Sequence, residues 1–413
     1  MPAEDGIGLY IHIPFCRQKC HYCDFYSLPL GIPGGIEDSG PGGEAGRLFS
    51  FYRQALWREL DLYLELLPQQ RGSLPVLKSI YLGGGTPTVL GGEMLAEIIE
   101  RCRSAFPAGQ DLPETTVEAN PGTFSRNDLG CLREAGVNRI SLGVQSLNPR
   151  LLETLGRQHT RDQALAAIAE VREAGFKNVN LDLMLGLPGQ TADLLRQDLE
   201  QIAALSPEHL SAYLLKVEPA TPLYQRLRAG ELSLPCDEEA ADMYQTAVAA
   251  LEAAGYQHYE ISNFARGSHQ CRHNLIYWAN QEYLGLGPAA HSALRLRAGS
   301  ADGGALVRRE NLPDLGKYAE KVGMGEFPLA SEETVTREWE MAETMFLGLR
   351  RTTGVEFGEF ESRFGKTIDE VYPGVISRLS RAGLVFRDEA GVRLTKNGRL
   401  LANEVFMAFL PPQ

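Results

Sequence analysis

Between residues 76 and 217 the chain repeats one pattern: a short apolar run of strand length, a turn, then an amphipathic stretch of helical period. Strand-like runs at 76–82, 115–119, 139–145, 178–185 and 209–217 are separated by amphipathic stretches such as 126–135, 161–174 and 192–205. Parallel strand pairs need long crossover connections and are covered on both faces, so this alternation predicts an α/β fold with a parallel sheet and outer helices. Six or so units suffice for a partial (β/α)6 barrel. Chemistry in such folds lies at the C-terminal strand ends. The glycines and polar residues singled out below fall at those ends.

The chain of 413 residues is long enough for a barrel core and a smaller appendage. The core is expected over 1–240, with a helix at 49–67 and a Gly- and Pro-rich mobile loop at 28–48. A connecting region at 241–329 opens with a helix at 238–254 and a strand at 256–261. Gly285, Gly287 and the glycines of 299–304 then suggest loops over the barrel mouth. Residues 330–413 read as helices at 332–349, 357–364 and 371–382, a hairpin turning near Ala390 and Gly391, and a last helix at 396–406. Three helices and a hairpin form a winged-helix-like domain. Asp369 and Glu370 suit docking or a lid better than DNA reading.

A formal net charge of −13 argues against a general nucleic-acid partner. Arg295, Arg297, Arg308 and Arg309 form a local exception, read as solvated surface with carboxylate binding as the alternative. No apolar run approaches the ~18 residues of a membrane span, and MPAEDGIG lacks a basic, then apolar, secretory leader. A cytoplasmic protein with reduced thiols is expected.

Three cysteines, Cys16, Cys20 and Cys23, stand in C-x3-C-x2-C spacing directly after the strand-like run 7–15. Three thiolates can hold three irons of a four-iron cluster and leave the fourth open to another ligand. A structural zinc site wants a fourth ligand, and His21, adjacent to Cys20, is poorly placed for the same ion. Disulfides are disfavoured because Cys102, Cys131, Cys236 and Cys271 are scattered singly.

CRQKCHYC resembles the cluster loop of radical S-adenosylmethionine (SAM) enzymes. The flanking YIHIPFC resembles the branch that holds oxygen-independent coproporphyrinogen III oxidase and the HemW haem chaperones. The resemblance implies a [4Fe-4S] cluster on Cys16, Cys20 and Cys23 whose open iron takes the amino and carboxylate groups of SAM. An electron from the reduced cluster then cleaves SAM to methionine and a 5′-deoxyadenosyl radical. In YLGGGTPT the family's GGGTP segment implies that Gly84, Gly85 and Thr86 contact the methionine end of SAM. The same resemblance assigns Tyr10, Tyr22, Asp24, Glu118, Gln145, Arg157, Asp182 and Lys216 to SAM binding. Carboxylates such as Glu118 and Asp182 suit ribose hydroxyls, and Gln145 and Arg157 can donate to polar groups. Taken singly, each of these is as well read as a cap, a turn former or a surface side chain.

Two departures set the function. The oxidase carries a further cysteine two residues past the third; this chain has Phe25 there, and too short a segment before Tyr10 for the oxidase's N-terminal extension. That counts against oxidative decarboxylation, and no catalytic residue is assigned. CRHNLIYW contains H-N-x-x-Y-W, which resembles the haem segment of the chaperone branch. It implies His273 as axial ligand, with Asn274, Tyr277 and Trp278 beside the macrocycle. A buried turn is the alternative reading of the same residues, Cys271 is read as a buried hydrophobe, and His269 is an alternative ligand. The expected protein is a haem chaperone on a radical SAM core, passing haem to an acceptor protein. A porphyrin-modifying radical SAM enzyme is the alternative. Pairing of two chains through an exposed cluster region stays open.

Overall fold

The computed structural model describes residues 6–31, 43–297 and 304–411. Strands β1 (Gly6–Ile13), β2 (Phe15–Cys16) and β3 (Leu28–Pro29) precede the long helix α1 (Glu44–Arg71). Then β4 (Val76–Gly84), α2 (Gly92–Ala105), β5 (Glu114–Ala119), α3 (Arg126–Glu134), β6 (Arg139–Gln145), α4 (Pro149–Thr154), α5 (Arg161–Glu173), β7 (Val179–Leu185), α6 (Ala192–Ala204) and β8 (His209–Leu214) follow. Strands β1, β4, β5, β6, β7 and β8 are neighbours in that order and run parallel, as the alternation predicts.

Side-chain alternation divides each strand between two environments. In β6, Ile140, Leu142 and Val144 are fully buried under the helices, whereas Arg139, Ser141, Gly143 and Gln145 line the interior. Helix starts are locally encoded: Ser125 with Asp128, and Thr160 with Gln163, close reciprocal capping boxes at α3 and α5.

The region after β8 is more ordered than its glycines suggest. It contains α7 (Pro222–Arg228), α8 (Asp237–Ala253), β9 (Gln257–Glu260), β10 (Asn263–Ala265), α9 (Arg272–Trp278), β11 (Tyr283–Leu286), β12 (His291–Leu296), β13 (Ala305–Asn311), α10 (Leu315–Gly323) and β14 (Leu329–Thr334). Strands β10 and β9 extend the β8 edge, β11 joins β1 in parallel, and β12 to β14 continue antiparallel, giving a sheet of twelve strands. The expected loops over the barrel mouth are therefore largely sheet. Gly285 and Gly287 are close-approach residues: a Cβ at Gly285 would strike the His291 carbonyl, and Gly287, at φ +101°, lies against the His12 carbonyl. A boundary at 240 cuts through α8, whose Met243, Tyr244, Ala247 and Leu251 belong to the barrel core. Within the loop expected at 28–48, residues 32–42 lie outside the described residues, as do 298–303; β3 and the start of α1 occupy its ends.

The C-terminal part comprises α11 (Arg337–Gly348), β15 (Val355–Glu356), α12 (Phe357–Phe364), α13 (Ile368–Val371), α14 (Val375–Arg381), β16 (Val385–Arg387), β17 (Gly391–Leu394), α15 (Lys396–Leu400) and α16 (Ala402–Met407). It has its own core around Met345, Val355, Phe360, Val392 and Phe409, separate from the barrel's. The stretch 332–334 is strand, not helix, because it pairs with β13. Pro373 and Gly374, the latter at φ +73°, break the helix expected at 371–382, and the last helix divides at Leu401. The two-residue β15 that completes the small sheet is too short to read from sequence. Of the basic group, Arg295, Arg308 and Arg309 pair with this chain's own Glu340, Glu343 and Glu332.

This domain packs on the far end of α9. Arg363 donates to the Asn280 carbonyl at 2.7 Å and to Glu340 at 2.9 Å, and the Arg350 guanidinium lies 4.3 Å over the Trp278 ring. The HNxxYW segment is thus held between the barrel and the C-terminal domain.

Candidate cluster and cofactor site

The cysteine loop leaves β2 and is pinned at His21, between Cys20 and Cys23, by two backbone bonds. His21 N donates to the Leu155 carbonyl at 2.9 Å, and Leu223 N donates to the His21 carbonyl at 2.8 Å. The His21 ring bonds the Thr154 carbonyl at 3.1 Å and faces away from any shared role with the thiols. Cys16 Sγ lies 3.5 Å from Thr86 Oγ1, and Arg157 Nη1 donates to Cys20 Sγ at 3.4 Å. Burial is the largest cause that pushes the Cys16 and Cys23 thiols up, Cys23 to about 11, and each feels the charge of Cys20. Three thiols in one another's field, with a guanidinium beside them, fit a thiolate-held cluster.

Beneath the loop a cavity of about 460 Å³ opens through the barrel mouth. Its upper wall contains Cys16, Cys20, Tyr10, Tyr22, Gly84, Gly85, Thr86, Gln145 and Arg157. Gln145 sits at φ +68°, a left-handed conformation costly for a non-glycine residue, where the β6–β7 register shifts. Arg157 is held by Asn120 Oδ1 at 2.6 Å and the Gly143 carbonyl at 2.5 Å. Glu118 accepts from Tyr81 OH at 2.7 Å and Gly84 N at 3.3 Å. Burial raises it to about 7 against those two bonds, with Asp182 adding to the rise. Asp182, raised by burial, accepts from Asn180 Nδ2 at 2.8 Å and Ser141 Oγ at 3.3 Å.

The glycines have a steric reason. A Cβ on Gly85 would stand 2.6 Å from the Phe15 carbonyl oxygen and 2.7 Å from that of Ile13, the acceptors of the Thr86 and Gly85 amides. Gly84, at φ +101°, would press a Cβ to 2.5 Å from the His12 ring. Gly85→Ala must therefore shift backbone under the cysteine loop. The expected result is at least tenfold weaker SAM binding by equilibrium dialysis and a loss of about 2 kcal/mol in chemical denaturation. Gly130→Ala, with open space around its Cβ inside α3, should leave binding unchanged and add about 0.5 kcal/mol.

Not every expected residue reaches the cavity. Lys216 is 84% exposed and pairs with Glu218 at 2.5 Å, and Asp24 is also exposed. Conversely, Tyr81, Asn120, Arg139, Ser141, Asn180, Ser211, Tyr213 and Met184 line the cavity without having been singled out. The available signal was polar residues at alternate positions of otherwise apolar strands, as in Arg139-Ile-Ser141 and Asn180-Leu-Asp182.

The HNxxYW residues lie mainly elsewhere. Helix α9 sits by the N-terminal strand ends, where Glu114 of β5 accepts the Arg272 and His273 amides at 3.1 and 3.2 Å. His273 is fully buried, with Nδ1 2.8 Å from Ser79 Oγ, Nε2 2.8 Å from Tyr277 OH, and its ring stacked 5.0 Å from Tyr81. Burial, then the field of Arg139, lowers it to about 3. Of the four residues only Asn274 lines the cavity. His269 bonds its own turn through the Arg266 carbonyl at 2.9 Å, and Cys271 is wholly buried.

Residues 10–202 match the family described as the radical SAM superfamily. A protein of Bacillus subtilis named "Heme chaperone HemW" is 40% identical over 97% of this chain and 98% of its own length. The chain belongs to the HemW family of radical SAM proteins. A second HemW-family protein, from Lactococcus lactis, is 36% identical over 97% of this chain and 96% of its own. Residues 335–401 of this HemW-family chain match the HemN C-terminal domain. The solved coproporphyrinogen III oxidase HemN of Escherichia coli superposes with a TM-score of 0.79, at 24% identity, over 98% of this chain and 90% of that one. That likeness establishes the fold.

Proposed function

We propose that this chain is a haem chaperone: it carries one [4Fe-4S] cluster on Cys16, Cys20 and Cys23, binds SAM in the barrel cavity, takes up haem and passes it to an acceptor protein. The observation that supports this most is likeness to HemW along nearly the whole chain. No described helix is long and apolar enough to cross a membrane.

When bound, the cluster supplies an electron to SAM. The protein's own residues do the rest. Arg157 and Thr86 orient the Cys20 and Cys16 sulfurs, and the glycine turn lets backbone approach the ligand closely. Glu118 and Asp182, on the barrel wall, accept hydrogen bonds from ligand hydroxyl groups. For haem, His273 is the residue that would hold the iron. It is neutral, as ligation requires, but both ring nitrogens are engaged, so a ring nitrogen would first have to give up its bond to Ser79 of β4 or to Tyr277 of its own helix.

Titrating haem into purified protein should give a Soret band, and His273→Ala should weaken binding at least tenfold while leaving iron-sulfur content intact. An unchanged wild-type spectrum would reject the chaperone reading. Anaerobic incubation with coproporphyrinogen, SAM and a low-potential reductant should give no vinyl product. Phe25, 66% exposed at the cavity lip, stands where the oxidase has its further cysteine. Vinyl product would favour the oxidase.

A further inference from the structure

Strand β6 runs the depth of the cavity. Its four inward residues, Arg139, Ser141, Gly143 and Gln145, span roughly 20 Å at ~3.3 Å per residue. The SAM reading uses the upper end, near Gln145 and Arg157, and the middle, where Glu118 pairs in register with Ser141. It leaves the lower end unused.

At that lower end stands Arg139, 2% exposed. Among the described residues its guanidinium has no hydrogen-bond acceptor and no carboxylate within the 4.0 Å of an ion pair, and its Nε is buried without a partner. The contrast with Arg157 is direct, since Arg157 bonds a sulfur, a side-chain oxygen and a carbonyl. The nearby acids Glu114, Glu118 and Asp182 share a field with Arg139, but their oxygens bond other partners. Glu118 is held by Tyr81 and Gly84, Asp182 by Asn180 and Ser141, and Glu114 by the α9 amides. A buried charge is costly unless something pairs with it. What the guanidinium lacks is an acceptor, and it lines the cavity together with the polar side chains of Ser211 and Asn274.

We propose that Arg139 anchors the carboxylate of a second small organic molecule on the floor of the barrel cavity, below the SAM residues. A guanidinium offers a planar fork that a carboxylate fills with two parallel bonds, and the Asn274 amide lines the same cavity. The site is separate from the His273 haem reading and stands without it.

The test uses full-length, anaerobically prepared protein with its cluster, and sodium propionate as probe, followed by saturation-transfer NMR on the propionate methyl. Wild type should bind propionate but not propionamide, with or without saturating SAM. Arg139→Gln should weaken propionate at least tenfold, while iron content and SAM affinity stay unchanged. Arg139→Lys, which keeps the charge and loses the fork, should fall between. Equal binding by wild type and Arg139→Gln, equal binding of propionamide, or displacement of propionate by SAM would each overturn the proposal. If Arg139→Gln does not fold, Arg139→Lys decides: weaker propionate binding supports the site, and unchanged binding rejects it.

Discussion

Alanine at Cys16, Cys20 or Cys23 should abolish the iron-sulfur chromophore of anaerobically reconstituted protein. Iron should fall from about four atoms per chain to under about one, since a cluster with only two protein thiolates is poorly held. The fold should survive, because all three side chains are only half-buried and the loop is pinned by backbone bonds of His21 to Leu155 and Leu223. Chemical denaturation of the iron-free variants should differ from wild type by less than about 1 kcal/mol. Cys131→Ser and Cys236→Ser, outside the loop, should retain full iron. Colorimetric iron and the visible spectrum check both halves, and full iron in a triple alanine variant would remove the cluster from this site.

The second large effect concerns stability. Glu59 of α1 is fully buried and accepts from Tyr318 OH at 2.6 Å, Gly287 N at 2.8 Å and Asn311 Nδ2 at 2.5 Å. One carboxyl therefore ties α1 to α10, to the turn after β11 and to the end of β13. Glu59→Ala strands three buried donors and opens a void, for an expected loss of roughly 4 kcal/mol. Burial, opposed by those three bonds, raises this carboxyl from 4.5 to about 7. A raised carboxyl means that the folded state keeps its proton where the unfolded chain has released it. The contribution is complete below pH 4.5 and declines as pH rises through about 7. The decline amounts to about 3 kcal/mol, and Glu59→Gln should remove it. Urea denaturation of wild type and Glu59→Gln at several pH values isolates this group from Glu118, which shifts in the same direction. A stability difference between the two that does not change with pH would refute the assignment.

What could be read directly was local. The cysteine triplet lies within eight residues, so its ligand spacing is visible without the fold. The parallel strands announce themselves because short runs with apolar residues at every second position alternate with amphipathic stretches, and helix starts such as Thr160 with Gln163 carry their own caps. The C-terminal hairpin and the helix at Phe357–Phe364 were legible for the same reason.

Long-range contact decided the rest. Ser79 meets His273 across 194 positions, and no pattern within the HNxxYW segment could show that its histidine faces the barrel with both nitrogens engaged. Gly285 and Gly287 look like breakers until the His291 and His12 backbones are seen against them. Arg139 sits in an apolar strand, and only closure of the sheet around it makes an ordinary arginine a buried cation at the end of a cavity. Sequence records which groups a residue has beside it along the chain, whereas burial, field and partner come from strands and helices that folding brings together.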